Sequence, residues 1–524
     1  MPTFRSPAPS LSLVPLVSLL LSAFCAAVPA GALAAPSTTC RFIQQQELPV
    51  SLRGAALQPA VDGTINGKPA RMLLDTGAFM TMLTRTGAEN RKLALRSSGG
   101  RKVSGTGGSS ALYLASLDDF TVGPSAGGKI ALPVLDEMGT TPWYDVIVGA
   151  DFLMQSDLEV ALADKVVRFH RSENCNDENL LSYWDAQANM VQMTGNSGKG
   201  GKGGTPRVDV QVNGVILSAI LDTGAGASSI KESAARRAGV TTDMPDVKRS
   251  GFFVGAGGGK AARWNAVFKT FTIGDQSVRN ADIYIAESLG REYGQVDVIL
   301  GTDFLRAHRV LFANSQRRVY LSYLGGDVFT KPGSGNLALV RKEAESGNAD
   351  AQYILARDYY NGARLPKDQI EAAAWLEKAA TQHHPAALVL MARELRDAGK
   401  PQEAAARLRA ALAATPATPA TLDPAALHLE LFLSQTQAGD HAAAKRDLAA
   451  LTDTRWPAPV AAFYLGRIDA AALMAAARDG SALAPLRACQ AAAYTASLQR
   501  ILNEPALARQ TLESLGDECK GMRI

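Results

Sequence analysis

The chain is 524 residues long, enough for three to four domains of about 150 residues each. Lys and Arg number 54 against 50 Asp and Glu, a formal charge of +4 with no basic block along the sequence, which argues against nucleic acid as a partner. With 47% hydrophobic and 20% charged residues, the composition is that of a folded protein and excludes a disordered chain.

The first feature in chain order is an apolar run from Leu11 to Val28, preceded by a single charge at Arg5 and followed by Ala32-Leu33-Ala34. This pattern predicts a signal peptide over residues 1–34, removed on export to the periplasm or the extracellular space. Pro15 interrupts the run and disfavours a retained anchor helix, so no membrane span is expected after its removal. Phe24, directly before Cys25, disfavours lipid attachment there. Cys40, Cys175, Cys489 and Cys519 remain, an even number that suits disulfides in an exported protein, with three pairings open and free thiols as the alternative. Pairing within each domain is expected, Cys40 with Cys175 and Cys489 with Cys519.

An internal repeat organises the next 280 or so residues. Ile65-Asn66-Gly67 followed by Leu74-Asp75-Thr76-Gly77-Ala78 returns as Val212-Asn213-Gly214 followed by Leu221-Asp222-Thr223-Gly224-Ala225. Downstream, Asp145-Val146-Ile147-Val148-Gly149-Ala150-Asp151-Phe152-Leu153 returns as Asp297-Val298-Ile299-Leu300-Gly301-Thr302-Asp303-Phe304-Leu305. Both copies carry short β-branched and apolar runs such as Arg71–Leu74, Val208–Val212 and Val267–Ile273 between turn residues, the signal of all-β domains. Asn-Gly at 66–67 and 213–214 predicts two-residue hairpin turns. The expected domains are 41–186 and 207–325, joined by a Gly/Lys-rich linker over 187–206.

Beyond Gly335 the composition shifts to Ala, Leu, Arg and Glu at helical spacing. Helix pairs are expected at 349–355 with 371–380, at 387–399 with 403–412, and at 428–439 with 441–451, so that residues 336–524 form an α-solenoid. This part resembles the tetratricopeptide-related repeats, its first unit the Sel-one-like variety, which implies a surface for a protein partner or substrate.

Asp-Thr-Gly-Ala after an apolar strand, then a Gly-rich hairpin, then an apolar-apolar-Gly turn resembles the retropepsin-like aspartic peptidases, and the resemblance holds twice. It implies two all-β acid-protease lobes forming an intrachain pseudo-dimer. Pairing of lobes between chains is the alternative arrangement. The resemblance further implies an aspartic endopeptidase whose dyad, Asp75 and Asp222, shares one proton and activates water on a peptide or protein substrate, with no metal and no cofactor. Thr76 and Thr223 would cross-brace the two loops, Gly77 and Gly224 would leave room for the dyad, and Gly149 and Gly301 would let a strand pass close beneath. Gly105, Gly107, Gly108, Gly255, Gly257 and Gly258 would form flap hairpins. Ala78 and Ala225 stand where many aspartic peptidases carry Ser or Thr, which implies a working range extending toward near-neutral pH. The competing reading is a peptide-binding or interaction scaffold without catalysis.

Other signals carry less. Gly255–Lys260 lacks the first Gly and the Ser/Thr of a phosphate loop, and the six His show no metal-ligand spacing. Trp143, Trp264 and Trp375 are expected to pack in the core or at a groove rim.

Overall fold

The computed structural model describes residues 39–125, 127–136, 142–194, 205–257, 259–289, 296–329, 337–362, 364–414, 424–451, 456–479, 484–514 and 519. The expected signal peptide over 1–34, the glycine run 195–204 and Gly258 lie outside them.

Each copy of the repeat opens on an antiparallel hairpin, Gln58–Ile65 with Lys68–Leu74 in the first and Arg207–Val212 with Val215–Leu221 in the second. Asn66, Gly67, Asn213 and Gly214 all have positive φ, the geometry a two-residue turn needs to match the twist of its strands. The second strand of each hairpin ends at the motif aspartate. It is held there by a short, fully buried apolar strand running parallel to it, Val146–Val148 in the first copy and Val298–Leu300 in the second. The Asp75 N–H donates to Val148 O at 3.0 Å and the Asp222 N–H to Leu300 O at 2.8 Å. Apolar character on both faces of these strands is what allows them to sit inside a lobe.

The copies are not beads on a tether. Among the described residues a 13-stranded sheet runs through both of them, beside a 9-stranded sheet belonging to the first. The junction is the antiparallel pairing of Asp157–Ala161 with His308–Ala313, which sets Leu158 opposite Phe312 and Val160 opposite Val310. Residues 189–194, expected in the linker, are instead a strand, Asn189–Thr194, paired with Arg318–Tyr323 and then with Arg207–Val212. Ladder hydrogen bonds on both sides order this part of the linker segment. A disulfide joins Cys40 to Cys175 across the strands Arg41–Pro49 and Val166–Glu173, and a second joins Cys489 to Cys519.

A buried ion cluster sits at the junction. The Glu159 side chain is fully buried and accepts hydrogen bonds from Arg168 at 2.7 Å, Arg309 at 2.8 Å, Tyr183 at 2.8 Å and His170 at 3.0 Å. Burial pushes this carboxyl up, but the hydrogen bonds from His170 and Tyr183, the Arg309 charge and the Arg168 bond outweigh it and hold it at about 2. Because its folded value lies below the ordinary 4.5, its contribution is present above pH 4.5 and is lost as pH falls toward 2. Glu159→Ala leaves two guanidinium groups without their shared partner and is expected to cost about 3 kcal/mol or more in urea unfolding at pH 7. A loss under about 0.5 kcal/mol, the scale of an ordinary surface change, would show that the cluster holds nothing together.

The C-terminal part folds as eleven helices among the described residues, from Leu337–Glu345 to Pro505–Glu513. Helix starts are capped by side chains: Asn348 accepts from Ala351 N, Asp368 from Ile370 N and Glu371 N, Asp440 from Ala443 N, and Asp469 from Ala472 N. Neighbouring pairs bury Ala and Leu faces on one another, as around Ala392, Leu408 and Leu431. The array is docked on the first lobe. Leu52 and Leu57 pack with Val340, Ala344, Ala351 and Leu355, Asn348 Nδ2 donates to Leu52 O at 2.8 Å, and Lys165 pairs with Glu343 at 2.8 Å.

Candidate active site

The strand ends at Leu74 and Leu221 deliver Asp75 and Asp222 to one place, where the two carboxyl groups hydrogen-bond each other. Their loops interlock. A Cβ built on Gly77 would lie 2.3 Å from Cγ of Asp222, and one on Gly224 would lie 2.3 Å from Cγ of Asp75, so each glycine leaves the room that the opposite carboxylate fills. Within each loop, Asp75 Oδ1 accepts the N–H groups of Gly77 at 3.0 Å and Ala78 at 2.8 Å, and Asp222 Oδ1 those of Gly224 at 2.8 Å and Ala225 at 3.1 Å.

Beneath the carboxyls the two threonines cross between lobes. The Thr76 N–H donates to Thr223 Oγ1 and the Thr223 N–H to Thr76 Oγ1, both at 3.0 Å. Their hydroxyls donate onward to Leu221 O at 2.7 Å and Leu74 O at 2.6 Å. All four bonds are buried over an apolar floor that includes Leu153, Leu158 and Val160, where breaking one leaves a polar group without water to replace it.

Electrostatics raise both members of the pair. Burial raises Asp75 above its ordinary carboxyl value, partly offset by hydrogen bonds from Ala78, Asp222 and Gly77. Burial, the Asp75 charge and the hydrogen bond to Asp75 raise Asp222 as well, against the N–H groups of Gly224 and Ala225. The pair therefore holds one proton well above the usual carboxylate range.

Gly149 and Gly301 lie where a Cβ would meet the backbone of Met80 at 2.4 Å and of Ala227 at 2.7 Å. Sequence reasoning overlooked what surrounds them. Asp151 Oδ1 accepts from the Thr81 N–H and hydroxyl, both at 2.7 Å, and Thr81 Oγ1 accepts from Gly149 N at 3.1 Å. Asp303, Ser228 and Gly301 repeat the arrangement at 2.9, 2.6 and 3.0 Å. The signal was present: Thr81 and Ser228 are separated by the same 147 positions as Thr76 and Thr223. Gln58 and Thr205 were also overlooked. The Gln58 amide donates to Gly224 O and the Thr205 hydroxyl to Gly77 O, each reaching the opposite lobe's loop. Tyr144, half-buried, has its phenol pushed up by burial and by the Asp75 charge.

Two hairpins lie over the loops, Leu95–Gly105 with Gly108–Leu117 and Lys248–Val254 with Lys260–Ile273. Val103 belongs to a buried cluster against which Ala78, Met80 and Tyr144 pack, and Phe253 and Ala225 both pack against a second cluster around Ile220 and Ile299. The tips touch: the Gly107 N–H donates to Ala256 O at 3.0 Å and the Gly259 N–H to Gly107 O at 2.7 Å. Gly105 and Gly255 abut the facing tip, at Ala256 and Thr106, and Gly257, at φ 101°, packs on the backbone of Gly108, an approach no side chain allows. Trp143 stands at the rim of the first lobe against Gly54, with its indole N–H 3.3 Å from Gln58 Oε1. Among the described residues no group of three or more His, Cys, Asp or Glu side chains converges as metal ligands.

Residues 61–152 and 208–304 each match the family model described as aspartyl protease. No curated protein matches the chain. Among solved structures, the crystal structure of aspartic proteinase from Irpex lacteus aligns at 14% identity over 55% of this chain and 98% of that one, with a TM-score of 0.33.

Proposed function

We propose that the chain, whose residues 61–152 and 208–304 match the aspartyl protease model, is an exported aspartic endopeptidase with Asp75 and Asp222 as its single catalytic dyad. The observation that carries this reading is the mutual hydrogen bond of two carboxyls, one from each lobe, each in contact with the glycine of the opposite loop. In the proposed reaction the Asp75 carboxylate takes a proton from a bound water as its oxygen attacks the scissile carbonyl, and the Asp222 carboxyl hydrogen-bonds the oxygen that becomes negative. Collapse of the tetrahedral diol breaks the C–N bond, a proton passes to the amine, and the dyad is left with the one proton it began with. The buried threonine bonds support the role of Thr76 and Thr223 in holding both loops in register. The two disulfides and the N-terminal apolar run support export. The helical array would recruit the substrate or a partner.

Incubation of the mature protein with a mixed peptide library across pH 3 to 8, a window around plausible dyad values, tests the reading. Cleavage is expected, blocked by a peptide carrying a tetrahedral secondary alcohol in place of the scissile bond. Because burial keeps the shared proton on the pair above the ordinary carboxylate range, activity is expected to persist toward near-neutral pH. A rate profile confined below about pH 4, the unperturbed carboxyl region, overturns that expectation, and a folded protein that cuts nothing supports a binding scaffold instead.

A further inference from the structure

The two hairpins over the site are one-sided in charge. Neither residues 95–117 nor residues 248–273 contain a single Asp or Glu, while the bases among them carry more positive charge than the net +4 of the entire chain. Arg101 and Lys102 of the first hairpin, and Lys248, Arg249 and Lys260 of the second, are exposed, and Arg263 is half-buried. Among the described residues no ion pair joins any of these six to an acid. Glu287, which hydrogen-bonds the second hairpin, uses its carboxylate to accept the Ala262 N–H at 2.9 Å. Some bases elsewhere on the lobes do meet acids: Arg85 meets Glu89 and Asp136, Arg91 meets Asp145, and Arg237 meets Asp297.

Strand alternation puts this charge on the outer face of the hairpins that lie over the site. Val103 and Phe253 turn inward onto the loops that follow Asp75 and Asp222, so their neighbours Lys102 and Phe252 turn outward. Phe252 is 47% exposed, with Arg249 at 5.1 Å and Lys260 at 5.6 Å from its ring centre. These bases therefore stand on the two hairpins that cover the dyad, within reach of the flanks of any chain bound there. Unpaired cations on low-dielectric hairpin walls attract a chain of opposite sign and repel one of like sign.

We propose that the site takes polypeptides bearing acidic side chains on the segments flanking the bond to be cut, selected by the unpaired bases of the two hairpins. This inference rests on the proteolytic reading above for the cutting, but the selection itself is a binding property and can be measured separately.

The test uses the full mature chain and peptide pairs that share one central sequence, flanked by Glu and Asp in one member and by Gln and Asn in the other. Competitive cleavage is read by mass spectrometry, and binding by fluorescence anisotropy on both the wild type and Asp222→Asn. At low salt the acidic member is expected to be favoured about tenfold or more, an advantage that shrinks at 0.5 M salt, where the Debye length falls to roughly 4 Å. The combined variant Arg101→Gln, Lys102→Gln, Arg249→Gln, Lys260→Gln is expected to lose the preference, with circular dichroism reporting that it is folded. Cleavage without preference, or a preference that survives in that variant, overturns the inference and leaves the peptidase reading standing. Tighter binding of acidic peptides with no cutting of any peptide upholds the inference and overturns the peptidase reading. A wild type that neither binds nor cuts either member overturns both.

Discussion

Asp222→Asn is expected to abolish peptide hydrolysis, by about a thousandfold or more, and at the same time to make the folded protein more stable at neutral pH. The two effects have one cause. Burial, the Asp75 charge and the bond to Asp75 push Asp222 well above its ordinary 3.8. In the unfolded chain it ionises near that ordinary value, whereas in the folded protein it keeps its proton to a higher pH. Between those two values the folded state binds more protons than the unfolded state, so stability is fully present below about pH 3.8 and declines as pH rises through the raised value. Asparagine cannot ionise, yet its oxygen can still accept the Gly224 and Ala225 N–H groups and its amide can donate to Asp75. Urea unfolding at pH 4, 6 and 8 should therefore give a falling series for the wild type and a flatter one for the variant. Parallel series would show that the carboxyl is not raised, and retained hydrolysis would remove Asp222 from the dyad.

Gly224→Ala and Gly77→Ala are expected to be nearly as damaging to activity and far more damaging to the fold. The new methyl would stand 2.3 Å from the opposite carboxyl carbon, and the carboxyl is itself pinned by two backbone N–H groups and cannot retreat. Relief requires the loops to separate, which pulls on the threonine bonds at 3.0 Å and strands their buried donors. A fall of more than a hundredfold in rate and a loss of about 2 kcal/mol or more are expected, on the scale of overpacking combined with broken buried hydrogen bonds. Gly128→Ala is the control: it is exposed and its Cβ would meet nothing within 4 Å. Its effect should stay within about 0.5 kcal/mol. If Gly224→Ala behaves like Gly128→Ala, the two loops are not in the contact described.

The local chemistry is legible in the residues alone. Asn66-Gly67 and Asn213-Gly214 specify turns because few other residue pairs adopt positive φ twice in succession. The duplicated Asp-Thr-Gly segments mark the ends of two strands because apolar runs lead into them, and the spacing of Ala and Leu beyond residue 336 marks helices. All of these signals are written within a few residues of one another. The tertiary structure alone decided what meets across long separations: the contact of two carboxyls and two threonines 147 positions apart, the Thr81–Asp151 and Ser228–Asp303 braces beneath them, and the strand Asn189–Thr194 drawn out of an expected linker. It also decided the seating of the helical array on Leu52 and Leu57, and the gathering of dispersed bases onto two hairpins. The physical reason is that hydrogen-bond capacity, charge and apolar area are properties of each residue, but the partner that satisfies them is chosen by the packing of the whole chain.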